Sequence, residues 1–202
     1  MFDALLKLDR ALFLAVNSGA RSPVLDWIMP ALSDWKFTWL PLAVVLLFFL
    51  RRRPLFLLWV LVAVGAAVAL GDALTTYVLK PFFERPRPFA EFRNILVFKG
   101  HWASASTIPP HETLSFPSAH AVNSAAAAFM LGRYFPRWRL PAALAVFFVC
   151  YSRVYLGVHY PSDTLGGIVF GAAVASLVLL VETLARKTWP GRLPWLENEA
   201  RA

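Results

Sequence analysis

The feature that most limits what this chain can become is a series of long apolar runs separated by short basic clusters. Leu55 to Leu79 and Pro161 to Leu184 each exceed the roughly 20 residues needed to cross a bilayer core as a helix. Backbone N–H and C=O groups find no water in hydrocarbon, so such runs must close their hydrogen bonds internally. Ser118 to Tyr134 and Leu140 to Leu156 fit the same pattern. Phe37 to Leu50 has 14 residues, so its helix is expected to start near Ser33, with Trp35 and Trp39 anchoring one end. The chain is 58% hydrophobic and 16% charged, too apolar for an ordinary soluble domain. The expected fold class is all-α, a polytopic transmembrane helix bundle of about five spans plus an N-terminal interfacial amphipathic helix.

A single membrane-embedded domain over 1–202 is expected, with interfacial helices over 1–32, a transmembrane core over 33–186 and a cytoplasmic tail over 187–202. In the first 20 residues Lys7, Asp9 and Arg10 interrupt the apolar Phe2, Leu5, Leu6, Leu8, Leu12 and Phe13. That pattern suits a retained helix lying on the membrane surface rather than a cleaved signal. Val24 to Leu32 reads as interfacial, re-entrant or part of a sixth span. The formal charge of +8 sits in clusters between apolar runs, not along one stripe, so orientation explains it better than nucleic acid does. Clusters 51–53, 133–139 and 186–192 hold nine of the 20 Lys and Arg residues, and five spans put all nine on the cytoplasmic face. Gly167 and Gly171 form a small-xxx-small spacing that favours close helix packing. Cys150, the sole cysteine, lies in an apolar run and reads as a buried structural thiol.

Three stretches carry the chemistry, and in the five-span arrangement all three fall on the face opposite the basic clusters. Ser152 to Asp163, SRVYLGVHYPSD, sets Arg153, His159 and Asp163 where one apolar run ends and the next begins. Pro161 suits a first helical position, which puts Asp163 in the first turn. From there its carboxylate can reach one ring nitrogen of His159 and leave the other free to attack. Lys80 to Pro88, KPFFERPRP, adds Lys80, Arg85 and Arg87. Phe116 to His120, FPSAH, adds a hydroxyl, a second histidine and the N–H groups of a helix start, including that of Ala119. Cations and a helix N-terminus suit a phosphate.

The spacings K-x6-R-P, P-S-x-H and S-R-x5-H-x3-D, in this order, closely resemble the three-part signature of the type 2 phosphatidic acid phosphatase family of membrane lipid phosphatases. The motifs cover Lys80 to Asp163. Ala119 stands where the family usually has glycine, and only its backbone N–H is needed. The resemblance implies that His159 attacks phosphorus to give a phosphohistidine, that Asp163 orients it, and that His120 protonates the leaving oxygen and then activates water. It implies phosphate binding by Lys80, Arg87, Ser118, Ala119 and Arg153. The implied partners are a lipid phosphate substrate and membrane lipids, with no nucleic acid. No metal and no cofactor are expected. The implied place is the inner (plasma) membrane, with the site facing the periplasm or exterior. Undecaprenyl diphosphate is the first substrate expected. Phosphatidylglycerophosphate, phosphatidic acid and lipid A are alternatives, as is transfer to an acceptor other than water.

Several readings stay open at this level. Two histidines and a carboxylate can form a metal triad, although three cations in the same space argue for an anion. A non-catalytic lipid binder is disfavoured by the complete set of acid, nucleophile and orienting group. Arg85 is either part of the site or simply paired with Glu84. Asp72 is a partner of Lys80 or a packing contact. His101, His111, Arg93 and Lys99 sit in a long polar loop and read as solvated, or as headgroup contacts.

Overall fold

The computed structural model describes residues 2–34, 54–109 and 114–188. The expected span over 33–50, the Arg51–Arg53 cluster, His111 and most of the expected tail therefore lie outside the described residues. Helix α1 (Phe2–Leu14) carries Asp3 in its first turn, where a carboxylate favours the helix dipole. It runs on through a π-helical turn, Ala15–Gly19. Helix α2 (Pro23–Ser33) is capped by Ser22, whose Oγ accepts the Leu25 N–H at 3.3 Å, with Pro23 opening the first turn. Helix α3 (Pro54–Leu74) continues through Thr75–Leu79 and Lys80–Phe83 to 30 residues. Glu84, at φ 46°, ends it in the left-handed region. Helices α5 (Ala119–Tyr134), α6 (Arg139–Tyr155) and α7 (Pro161–Thr188) complete the bundle after a short helix, α4 (Pro88–Glu91).

Two described helices, α3 to Phe83 and α7, are long and apolar enough to cross a membrane, and only 33% and 28% of their most apolar windows are buried. Helices buried in a soluble core hide most of such a surface. Here the exposed Leu58, Val62, Val169 and Leu180 need lipid to cover them. Helices α5 and α6 have 16 and 17 residues, short of the roughly 20 that a flat bilayer core asks for.

Helix α5 is central and packs against α3, α6 and α7. The α5–α7 seam is closest, as the Gly167–Gly171 spacing predicts. A Cβ at Gly167 would stand 2.6 Å from the Ala121 Cβ, and one at Gly171 would meet the Val122 carbonyl and, at 3.0 Å, the Ala126 nitrogen. Gly171→Val is therefore expected to destabilise by about 1–3 kcal/mol. For a chain of this size that is a fall of about 2–12 °C in the thermal midpoint in detergent. Gly65→Ala, at a position where an added Cβ meets nothing within 4 Å among the described residues, is the control and should leave the midpoint in place. An equal midpoint for both variants refutes the tight seam.

The loop between α3 and α5 departs from the all-α expectation. It holds an antiparallel hairpin, β1 (Leu96–Phe98) on β2 (Trp102–Ser104), turning at Gly100 with φ +83°. The loop has its own core, in which Phe89, Ile95, Val97 and Ile108 pack with Phe13, Met29 and Tyr155. Polar contacts tie the loop down. Arg93 donates to the carbonyls of Phe89, Ser106 and Ile108 at 2.8–3.1 Å. Asn17, fully buried, donates to the carbonyls of Leu96 and Tyr155 at 3.0 and 2.8 Å. Cys150 is buried beside Val146 and Ala125.

Candidate active site

Two backbone links and one from a side chain draw the motif stretches together. Pro86 bridges to Leu114, and the Ser115 N–H donates to the Arg85 carbonyl at 2.7 Å, joining the end of α3 to the approach of α5. The Ser118 N–H donates to the Asp163 carbonyl at 3.0 Å, joining the starts of α5 and α7. Arg87 Nη1 donates to the Val158 carbonyl at 2.8 Å, joining the first stretch to the last.

His159 sits just before α7 and is 2% exposed. Its Nδ1 stands 3.6 Å from Asp163 Oδ2, and its Nε2 is 3.4 Å from Arg87 Nη1. The carboxylate side therefore favours a proton on Nδ1 and leaves the Nε2 lone pair toward the cations. Burial, reinforced by Arg87 and Arg153 and opposed by Asp163, pushes the imidazole down to about 3. The ring is neutral at physiological pH, as a nucleophile requires. Asp163 is fully buried and held from several sides. Its Oδ2 accepts the Tyr160 N–H at 2.8 Å and the Ser115 hydroxyl, and its Oδ1 accepts Arg85 Nη1 at 2.7 Å.

Lys80, Arg87 and Arg153 are close enough to repel one another electrostatically, and all three act on His120. A cluster of like charges such as this draws and concentrates an anion. His120, on the exposed side of the first turn of α5, also lies within hydrogen-bonding reach of the Ser33 backbone. Ser118 is the N-cap of α5, yet its fully buried Oγ makes no cap bond and has no partner among the described residues. The Arg153 Nε is likewise buried and without a partner among the described residues. Unpaired buried donors are costly, and here they border the cation cluster at a helix N-terminus, where Ala119 follows. Sequence spacing singled out Lys80, Arg87, Ser118, Ala119, His120, Arg153, His159 and Asp163, and the fold sets them at or beside the joined ends of α3, α5, α6 and α7.

It resolved other residues less well. Arg85 is paired with Asp163 and, through Nη2 at 2.7 Å, with Asp9, rather than with Glu84. Ser115 and Asp9 gave no signal, because neither falls at a motif spacing and Asp9 lies 153 residues before Ser162, which it contacts. Asp72 serves both of its readings, accepting Asn123 Nδ2 at 3.1 Å and acting electrostatically on Lys80. His101 is exposed at the hairpin turn, and its carbonyl accepts the Lys99 N–H.

Residues 56–187 match the PAP2 superfamily. The chain belongs to that superfamily. It is a lipid phosphatase of the type 2 phosphatidic acid phosphatase kind. It is 31% identical over 94% of its length to the lipid A 4'-phosphatase of Porphyromonas gingivalis, of which it covers 79%. It is 30% identical over 79% of its length to the undecaprenyl-diphosphatase of Sulfolobus acidocaldarius, covering 71% of that protein. In three dimensions it is similar to the transmembrane PAP2 type phosphatidylglycerolphosphate phosphatase of Bacillus subtilis, with a TM-score of 0.61, 28% identity and coverage of 94% of this chain and 90% of that one.

Proposed function

We propose that the chain hydrolyses a phosphate or diphosphate carried by a membrane lipid, through a phosphohistidine on His159. The observation that carries this reading is that Arg87 Nη1 stands 3.4 Å from His159 Nε2, the ring nitrogen turned away from Asp163, with Arg153 acting on the same ring and Lys80 in the field of both arginines. Phosphoryl transfer needs positioning and positive charge around the equatorial oxygens. Lys80, Arg87 and Arg153 supply the charge, while Ser118 and the Ala119 N–H bind at the helix start. His159 Nε2 attacks phosphorus, the bond from phosphorus to the lipid-side oxygen breaks, and that oxygen takes a proton from His120. His120 is protonated once the bound phosphate offsets the burial and the cations that hold the free ring down to about 4. Water then attacks phosphorus, giving its proton to His120, and the P–N bond breaks to release inorganic phosphate and neutral His159.

Two surfaces support a lipid substrate. Tyr77, Val78, Phe82 and Phe83, around Lys80, are exposed. An apolar groove of about 840 Å³ runs between α5, α6 and α7 and reaches the first turn of α7 at Pro161 and Thr164. Its walls, among them Ala128, Phe129, Phe147 and Ile168, suit a hydrocarbon chain. Undecaprenyl diphosphate remains one candidate. A lipid A phosphate is the second, favoured by alignment to a lipid A 4'-phosphatase over 94% of the chain. Phosphate release from undecaprenyl diphosphate, lipid A, phosphatidylglycerophosphate and phosphatidic acid, by purified protein with a chelator present, separates them. Release is expected to persist in the chelator, since protein cations hold the phosphate. Loss of release that magnesium or zinc restores refutes this reading, and so does a protein inactive on all four lipids.

The proposed setting is a five-span protein in the inner membrane, with the site facing the periplasm or exterior. The ends of α3 and α6 and the starts of α5 and α7 gather there, while Arg133, Arg137, Arg139, Arg186 and Lys187 gather at the other end of the bundle. With the parent Cys150 buried, His101→Cys in intact cells should react with an impermeant thiol reagent. Protection until the cells are opened reverses the orientation.

A further inference from the structure

We propose that Asp9, on the N-terminal helix, is a positioning residue for the His159–Asp163 pair and acts through Arg85. This rests on the reading of His159 as nucleophile. Helix α1 has two faces. Leu5, Leu8 and Leu12 are 47–58% exposed, whereas Asp9, Phe13 and Asn17, four residues apart and so on one side, are buried. A surface anchor needs only the leucines. A buried carboxylate is costly unless it is paired and hydrogen-bonded, and Asp9 is both. Its Oδ1 accepts the Ser162 N–H at 2.8 Å, and its Oδ2 accepts the Ser162 hydroxyl at 2.6 Å and Arg85 Nη2 at 2.7 Å.

The consequence is a division of one guanidinium between two carboxylates. Arg85 turns Nη1 to Asp163 and Nη2 to Asp9, each at 2.7 Å. Were Arg85 committed to Asp163 alone, the pair would be neutral, and His159 would face a carboxylate with little charge left to hold its Nδ1–H. With Asp9 in place the three groups carry one net negative charge. The other charged or titratable groups around them are Lys80 and Arg87 from the end of α3 and the following loop, Arg153 from α6, and Tyr160 with its partner Glu91. Asp9 also fixes the backbone and hydroxyl of Ser162, the residue before Asp163. It thereby sets both the charge and the direction of the orienting carboxylate.

The test is rapid-mixing measurement of phosphoenzyme, trapped in alkali where phosphohistidine survives. It uses the full-length protein in detergent micelles with undecaprenyl diphosphate, lipid A, phosphatidylglycerophosphate and phosphatidic acid, each labelled in its terminal phosphate. Displacing reacting groups by an ångström costs about 100-fold. Asp9→Asn is therefore expected to slow phosphoenzyme formation by about 10- to 100-fold without changing the half-saturating lipid concentration, and Asp9→Glu should recover most of the rate. Arg10→Gln is the control: it breaks the 2.8 Å pair with Glu91 one residue further along the same helix and should keep the parent rate. Parent-like formation in Asp9→Asn overturns the proposal, as does an effect confined to half-saturation or an equal loss in Arg10→Gln. Should Asp9→Asn not be recovered folded, Arg85→Lys carries the test, because one ammonium lacks the fork that bridges two carboxylates. A similar loss is expected, and a parent-like rate overturns the proposal. A parent protein that releases phosphate from one of the four lipids yet forms no alkali-stable phosphoenzyme from it overturns the role of His159 itself, and this inference with it.

Discussion

Replacing His159 by glutamine is expected to abolish phosphoenzyme formation and to lower turnover by about 10⁴-fold or more, on the scale seen when a nucleophile is removed. The effect follows from how few groups stand where phosphorus must arrive. Nε2 is the ring atom that faces the cation cluster, with Arg87 Nη1 3.4 Å away, and Nδ1 is turned to Asp163 at 3.6 Å. Glutamine fills much of the same volume without a nucleophilic nitrogen. The variant should remain folded, and its pH dependence offers a check on that point. His159 ordinarily titrates near 6.5 and is held down to about 3 in the folded protein. Below 6.5 the unfolded chain takes up a proton that the folded one refuses. The stability associated with neutral His159 is therefore complete above 6.5 and lost as pH falls toward 3. His159→Gln lacks this loss, so its thermal midpoint should decline less than the parent's between neutral and acid pH. A surviving phosphoenzyme in the variant removes the nucleophile assignment.

His120→Ala should discriminate between substrates. If the lipid is a diphosphate, the departing group is a phosphate monoester whose second pKa is roughly 6, and it leaves with little help. If it is a monophosphate, an alkoxide departs whose conjugate acid has a pKa on the order of water's 15.7. A general acid is worth about 10²- to 10⁴-fold. The loss in the first step should approach that range for a monophosphate lipid and be far smaller for a diphosphate lipid. The comparison needs burst measurements, since His120 is also the proposed base of the second step and its loss depresses steady-state rates for both lipids. Equal loss of burst rate on the two lipids removes His120 from the acid role. Burial, with Arg153, Arg87 and Lys80, pushes the free His120 ring down to about 4, so its acid form depends on the anionic phosphate being bound among those cations.

The sequence by itself determined the features that depend on local rules. Apolar runs fixed where α3, α5, α6 and α7 lie, because hydrocarbon leaves the backbone no partner but itself. Pro161 and Ser118 mark helix starts through backbone chemistry confined to a few residues. Lys80, Arg87, Ser118, His120, Arg153, His159 and Asp163 were legible because their spacing within each motif is a property of single segments. The Gly167–Gly171 pair foretold a close helix approach along α7, since absence of a side chain is the whole signal, while the choice of α5 as partner came from the fold.

Only the tertiary structure decided how charges are shared across segments. Arg85 read equally well as a partner of Glu84, its sequence neighbour, until the chain turned left-handed at Glu84 and brought Asp163 and Asp9 to the guanidinium. Asp9 looked like one polar residue of a surface helix. Its burial depends on which face of α1 meets Ser162, 153 residues away, and periodicity shows that a helix has two faces without showing what each one meets. The hairpin at Leu96–Ser104 escaped notice for a related reason. Three-residue strands are too short to show alternation, and their pairing is stabilised by Asn17 and the end of α6, contacts that no local window contains.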